Sequence, residues 1–436
     1  MNDDLLTIAS DAITHARKIG ADAAEVSVTE GRSTEVEIRE GKTERMEGAE
    51  GRRITLNLFS GKSCASISGN LLTKEAIHEL AGKALAMARL APANPYAGVA
   101  EPEFLATRFP DLDLVSEQLP DAASLQRMAQ ETEQAALSVP GVSKSGGASA
   151  SCGDRTAAIA ISNGFARAQR RTGISFSVSA ITGEGTGMER DYDFSSAIHL
   201  ADLRSPQAVG LEAGRRTARR INSRKIKSQA VPIVFDQRVA PSLIGHLLGA
   251  ISGSAIARGT SFLKDNLGQQ IFSEGVTIVE DPFIPRGLGS RAYDGDGLAR
   301  VKRNIVDYGV LTTWLLDLRS ARQLGLRPTG HGSGTSNVYL KPGNASREDL
   351  LRDIQQGLYV TEMIGSSINM VTGDYSRGAS GFWIENGELT YPVSEITIAG
   401  NLRDMFLNVT PANDLEFRTS VNAPTCRVEG LTIAGH

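Results

Sequence analysis

Apolar positions recur at helical spacing across residues 3–19, where Leu5, Ala9, Ala12, Ile13 and Ala16 fall on one face. Asp3 and Asp4 suit the positive start of that helix, Arg17 and Lys18 its negative end, and Gly20 its termination. Alternating patterns follow in AEVSVTE, TEVEIRE, RRITLNLF and CASISG, each predicting a strand. Thr73 stands at the N-cap position of a second helix, with Ile77, Leu80, Ala84 and Ala88 inward, which must end before Pro92. Five prolines between 91 and 120 predict a linker. The order then recurs: a helix over 121–137 opened by Asp121, alternating segments near 147–152, 156–162, 167–171 and 173–181, and a helix opened by Ser205-Pro206.

From about residue 229 the pattern changes to short strands. VPIVFD and VTIVED read as strands, NIVDYGVLTTWLL as a hairpin about Tyr308-Gly309, and FWIENGELTY as a hairpin about Asn386-Gly387 with a type I′ turn. Short helices are expected near 317–324 and 346–356, the second capped by Ser346, and EITIAG and TCRVEGLTIAG supply the last strands. The whole predicts an α+β fold: N-terminal α/β sheet modules with flanking helices, then a large β-rich domain built as a curved antiparallel sheet or a barrel. The expected domains are an N-terminal α+β domain over 1–112, a middle α+β domain over 113–227 and the β-rich domain over 228–436.

One strong helical pattern interrupts the β-rich half, over 237–256. Ala240, Ile244, Leu247 and Ile251 form its apolar stripe. Ser242, Gly245, Gly249 and Ser252 form a second stripe of very small residues. A glycine inside a helix costs about 1 kcal/mol against alanine, so two of them predict close approach of another backbone. His246 projects away from the apolar stripe.

Composition narrows the picture. The chain has 436 residues, 41% hydrophobic and 22% charged, which is enough for several globular cores; its 45 glycines beside 5% aromatics fit a turn-rich, strand-rich molecule. A net charge of −4 argues against a protein built to hold phosphate backbones. Cys64, Cys152 and Cys426 are odd in number and far apart, so no disulfide framework or zinc knuckle is legible and a reducing, cytoplasmic setting is expected. The acidic N-terminus is unlike a signal peptide, and no apolar run is long enough for a bilayer.

Other chemistry-bearing stretches have plain readings. The basic run of Arg215, Arg216, Arg219, Arg220, Arg224, Lys225 and Lys227 reads as a solvated helix C-terminus sooner than a nucleic-acid surface. Asp294-Gly-Asp296-Gly reads as a tight turn, and His331 as part of a mobile Gly/Ser-rich surface loop. A serine hydrolase would draw on Ser333, Ser376 or Ser380 with His246 or His331, but no Gly-x-Ser-x-Gly elbow centres on any of them.

Longer strings carry a resemblance. VPIVFD, ARGTSFL, SNVYLKPGN, MVTGDYSRGASGFWIENGE and EITIAGNLRDMF, together with the N-terminal layout, resemble the TldD/PmbA family, closest to its PmbA (TldE) branch, over nearly the whole chain. The resemblance implies a three-part chain in a cytoplasmic metallopeptidase assembly acting on small or unfolded peptides. In the TldD branch a His-Glu-x-x-x-His helix holds zinc and its glutamate acts on the bound water. Registered on Arg258, Gly259, Thr260 and Ser261, those three positions here are Ile244, Gly245 and Gly249; His246 matches none of them, and residues 411–422 hold no cysteine where that branch has a ligand. The resemblance therefore implies a chain that binds no cofactor itself and whose partner, a TldD-type subunit, carries the zinc. A homodimer is expected when the partner is absent. His246, Arg258, Thr260, Ser261, His331 and Arg377 are the expected chamber-lining residues. The rival readings are a self-sufficient hydrolase with an unrecognised site and a nucleic-acid or topoisomerase-associated regulator.

Overall fold

The computed structural model describes residues 2–435. Its N-terminal half contains α1 (Asn2–Lys18), β1 (Ala23–Arg39), β2 (Lys42–Ser60), β3 (Ser63–Gly69), α2 (Lys74–Leu90), α3 (Ala122–Leu137), β4 (Lys144–Ile161), β5 (Ala166–Thr182), β6 (Glu189–Ala197) and α4 (Pro206–Ala218). Thr73, Asp121 and Ser205 each accept a backbone N–H three residues on, so the predicted caps start these helices. The helix–strands–helix order does recur, but all six strands form one antiparallel sheet in the order β3-β2-β1-β4-β5-β6. β1 and β4 pair continuously from Glu25↔Ile161 to Ile38↔Ala148. Segments that look separate in sequence are thus single long strands. The apparent breaks at Gly31, Gly153 and Thr172 are not turns, because none of these residues adopts a left-handed backbone and each keeps its place in the ladder.

All four helices cover one face of this sheet. Val26, Val28, Ala158 and Ala160 pack against α1 and α2; Val36, Ile38, Ala148 and Ala150 pack against α3 and α4. Between the two helix pairs the same face turns polar, at Glu30, Arg32, Asp154 and Thr156.

The C-terminal half contains β7 (Gln229–Phe235), α5 (Pro241–Ala250), α6 (Gly253–Ala257), β8 (Ile278–Asp281), β9 (Arg303–Asp307), β10 (Val310–Leu311), α7 (Leu318–Leu324), β11 (Asn337–Leu340), α8 (Arg347–Leu351), β12 (Gln356–Ile368), β13 (Asp374–Glu385), β14 (Glu388–Asn401), α9 (Leu402–Leu407), β15 (Val409–Pro411), β16 (Val421–Asn422) and β17 (Cys426–Ala434). The order β14-β13-β12-β7-β17 closes through pairing of β14 with β17, giving a five-stranded barrel with β15 alongside β17. One pair, β7 with β12, is parallel; the others are antiparallel. A second sheet, β10-β9-β8-β11-β16, shares a continuous apolar core with the barrel. Both predicted hairpins are present, with Tyr308 and Gly309 at φ 46° and 83° and Asn386 and Gly387 at φ 50° and 83°, the left-handed pair a type I′ turn requires. Ser346 caps α8 through a reciprocal capping box with Asp349.

The helix expected over 237–256 is two helices, a correction with a visible cause. The segment around Leu315 enters the helix line: Leu315 donates to the Ile251 carbonyl at 3.0 Å and accepts from Gly253 at 2.8 Å. Those bonds replace the intrahelical ladder and turn Ser252 extended. The 91–120 segment is fastened down, with Arg322 donating to the carbonyls of Tyr96, Gly98 and Val99.

The basic run is largely the expected solvated helix end, with Arg215, Arg219, Arg224, Lys225 and Lys227 exposed, but Arg220 departs from it. Arg220, 5% exposed, reaches Glu189 on β6 and Glu362 on β12, at 3.1 and 2.7 Å. Arg216 binds Asp193, Lys225 binds Glu395, and Arg219 and Arg224 stack over Phe382 and Tyr391. Arg220 thus bridges β6 of the N-terminal sheet and β12 of the barrel.

Candidate functional site

The apolar stripe of α5 enters the core, with Ile244 1% exposed and Leu247 fully covered. Gly245 and Gly249 lie on the open side. A Cβ built at Gly245 meets nothing within 4 Å, and one at Gly249 meets only the tip of Met370, at 3.4 Å. Close backbone approach, the sequence expectation for both, is therefore not their reason. Among the helical glycines nearby it holds for Gly253, where a Cβ would lie 3.0 Å from the Leu315 carbonyl oxygen and 2.1 Å from the Ser320 side-chain Oγ.

His246 sits edge-on to Tyr375, with ring centroids 5.9 Å apart, and its Nε2 is buried without a hydrogen-bond partner. Burial, and then the positive charge of Arg377, push its pKa down to about 4. Tyr375 is 2% exposed; its hydroxyl makes no well-aligned hydrogen bond, and burial raises its pKa against the nearby Arg377 guanidinium, which favours the ionised form. Arg377 is anchored by donation from Nε to the Gly365 carbonyl at 2.8 Å. Sequence reasoning names His246 and Arg377 but misses Tyr375. Strand alternation places Tyr375 on the same face of β13 as Arg377, and that signal was available.

The remaining chamber candidates lie elsewhere. Arg258 and Thr260 are exposed in the turn after α6, and Ser261 is buried, its hydroxyl accepting the Leu263 N–H at 3.0 Å. His331 is not on a mobile surface loop. It is 7% exposed, with Nε2 2.9 Å from Glu280 Oε2 and Nδ1 2.8 Å from Thr329 Oγ1. Although burial alone would raise it, the Glu280 carboxyl is held down at about 2 by His331, the Ser336 N–H and Arg300. With both ring nitrogens engaged, His331 does not serve Ser333 as a base. The Asp294–Gly297 stretch is the expected turn, Asp294 Oδ1 accepting the N–H groups of Asp296 and Leu298. Cys426 is 1% exposed between β7 and β15, and burial raises its thiol pKa.

Catalytic zinc needs about three protein ligands and an open position. Around α5 the available donor is one imidazole, flanked by a phenol and a guanidinium that repels cations. Ile244 and Gly249 face different sides of the helix. Among the described residues no three of His, Cys, Asp and Glu converge on a point that could hold a metal ion. The residues present do not fit zinc.

A neutral buried imidazole has a measurable consequence. The unfolded chain takes up a proton near pH 6.5, whereas the folded one resists until about 4, so this group's contribution to stability is lost as pH falls through that window. Denaturant unfolding at pH 7 and pH 4.5 should show an acid loss that His246→Gln reduces by roughly 1–3 kcal/mol. An unchanged acid loss in the variant refutes the assignment.

Known proteins match along nearly the whole chain. Three family descriptions fit in succession: PmbA/TldA metallopeptidase domain 1 over residues 24–88, the central domain over 114–221 and the C-terminal domain over 228–435. Metalloprotease PmbA of Escherichia coli O157:H7 is 38% identical over 435 residues, 98% of this chain and 96% of that one. The PmbA homolog of Haemophilus influenzae is 34% identical over 436 residues, 99% and 96% of the two chains. A solved chain from Bacteroides thetaiotaomicron, put forward as a modulator of DNA gyrase, superposes with a TM-score of 0.93 at 29% identity, covering 99% of this chain and 98% of that one. TldE from Thermococcus kodakarensis superposes with a TM-score of 0.87 at 21% identity over 98% and 100%, a likeness of fold.

Proposed function

The chain belongs to the PmbA/TldD metallopeptidase family, and from that premise we propose that it is the non-cutting subunit of a cytoplasmic two-chain peptidase. Its partner is a TldD-type subunit that carries the zinc, and together they enclose a chamber for small or unfolded peptides. The observation that carries this reading is the donor set on α5: the helix offers one imidazole, His246, and no carboxylate, and among the described residues no three of His, Cys, Asp and Glu converge on a point. Water activation by zinc belongs to the partner, and this chain contributes wall and positioning. Among the described residues no helix is long and apolar enough to cross a membrane.

The test is cleavage of an unfolded peptide by this chain alone, by a TldD-type subunit alone, and by the two mixed. The expected result is silence from this chain and greater activity from the pair than from the partner by itself. Metal-dependent cleavage by this chain alone overturns the proposal. The rival nucleic-acid reading rests on the basic run, much of which is engaged within the molecule.

A further inference from the structure

On the sheet face opposite the four helices, a cavity of about 840 Å³ lies between the sheet and the loops carrying Arg291 and Ser333. Its floor is a row of glycines on four adjacent strands. Gly51 pairs with Gly31, Gly153 pairs with Gly173, and Gly31 and Gly153 are two positions apart in the β1–β4 register. Glycine weakens a strand interior, so such a row needs a reason. Backbone geometry is not the reason, since none of the four is left-handed. Packing is not the reason either. A Cβ at Gly51 or Gly173 meets nothing within 4 Å, and at Gly31 and Gly153 the nearest atoms are at 3.4 and 3.6 Å. What the missing side chains leave is open space above the floor.

The charges around this space are unbalanced in an informative way. Arg155 and Arg171 stand directly opposite each other on β4 and β5, an arrangement of like charges that destabilises a sheet. Arg291 approaches from the loop above, and its charge, after burial, lowers the pKa of Arg171. Among the described residues none of the three forms an ion pair. Arg171 donates to the carbonyls of Gly287, Leu288 and Ser290, and Arg291 to those of Gly289 and Ser333. The acids of the lining are committed or distant. Asp154 is held bidentately by Arg170 at 2.8 and 2.7 Å, Asp294 accepts three backbone N–H groups, and Glu50 sits exposed at the other end, on β2. That end is open, because Lys42–Arg53 of β2 is wholly exposed and β3 pairs only from Ile54 onward.

We propose that this glycine-floored cavity is a binding site for the carboxylate end of an extended peptide, which enters over the free edge of β2 and meets Arg155, Arg171 and Arg291. From β2 to β5 is three strand spacings, about 14 Å, the length of about four extended residues. Guanidinium groups match a carboxylate by charge-assisted hydrogen bonds, and a flat floor without side chains lets a peptide backbone lie close. The site rests on the peptide-handling role proposed above and gives this chain its own part in it: holding the tail of a substrate.

The test is calorimetric titration of the full-length chain, without a partner, with three probes: a ten-residue Gly/Ser/Ala peptide with a free C-terminal carboxylate, its C-terminal amide, and a ten-nucleotide oligothymidine. The free-acid peptide should bind, and the amide should bind about tenfold more weakly. Arg155→Gln, at an exposed position, should weaken the free acid about tenfold and leave the amide unchanged. Gly173→Val, whose Cβ meets nothing within 4 Å and which suits a strand, should raise the floor beside Arg155 and Arg171 and weaken the free acid about tenfold, with a melting temperature close to the parent's. Equal binding of acid and amide, variants that bind like the parent, no peptide binding, or tighter binding of the oligonucleotide each overturn the site. Because no cleavage is read, a negative result here leaves the division of labour between subunits standing, and failure of the cleavage assay leaves this binding result standing.

Discussion

Replacing Asp193 by alanine is expected to lower the unfolding free energy by about 3 kcal/mol, measured by denaturant titration at pH 7. The carboxylate is 1% exposed and lies 2.5 Å from Arg204, 2.7 Å from Arg418 and 3.1 Å from Arg216. Burial by itself would raise its pKa, but Arg216, Arg204 and Arg418 together hold it below the usual aspartate value. Removing it leaves three guanidiniums facing one another. Breaking a buried pair costs about 3–5 kcal/mol, and the lower end applies because the arginines keep 18–39% of their surface in water. The sign with pH follows. A depressed carboxylate pKa gives stability that is present above the unfolded value near 4 and is lost as pH falls below it, so the gap between parent and variant should close in acid. Arg418 comes from the β-rich half and Asp193 from β6, so the variant should also loosen the two halves from each other. A cost under about 1 kcal/mol at pH 7 contradicts this account.

The second large effect is expected from a single methyl group. Gly381→Ala places a Cβ 1.9 Å from the Tyr359 carbonyl oxygen, 2.9 Å from its carbon and 3.0 Å from the Val360 Cα, all backbone atoms of the neighbouring strand. No rotamer relieves that clash. β12 and β13 must move apart where the barrel ladder already shifts register. Overpacking typically costs 1–3 kcal/mol, and here, with only backbone to yield, about 3 kcal/mol or more is expected, read as a fall in melting temperature. Gly173→Ala is the control, since it lies in a long strand with nothing within 4 Å of its Cβ and should change stability by less than about 1 kcal/mol. Two similar losses would mean that the cost is generic to strand glycines, and the argument for an open floor would lose its basis.

Local signals in the sequence hold in the fold where the physics is local. Thr73, Asp121, Ser205 and Ser346 cap the helices they precede because capping involves only the next three residues. Tyr308-Gly309 and Asn386-Gly387 make their turns because left-handed geometry is a property of those residues. The α5 stripe of Ala240, Ile244, Leu247 and Ile251 is buried as its spacing predicts. At the candidate site, the single imidazole of α5 and its lack of a carboxylate are already legible in the sequence.

The misreadings share one cause, a partner remote in sequence. Gly31 and Gly153 look like breaks because glycine often ends a strand, and only cross-strand pairing shows that they floor a cavity with Gly51 and Gly173. His331 looks mobile among glycines and serines, yet Glu280, fifty-one positions away, holds it inside. Within the basic run, Arg216 and Arg220 look solvated like their neighbours until Asp193, Glu189 and Glu362 are brought to them. Residue type and spacing determine which helices start where, which turns close, and which face of α5 is apolar, because those depend on chemistry carried by neighbours in the chain. Which charges are neutralised, which glycines leave room, and which arginines are left without an anion was decided by folding alone, because desolvation and ion pairing act between groups that only the tertiary structure brings together.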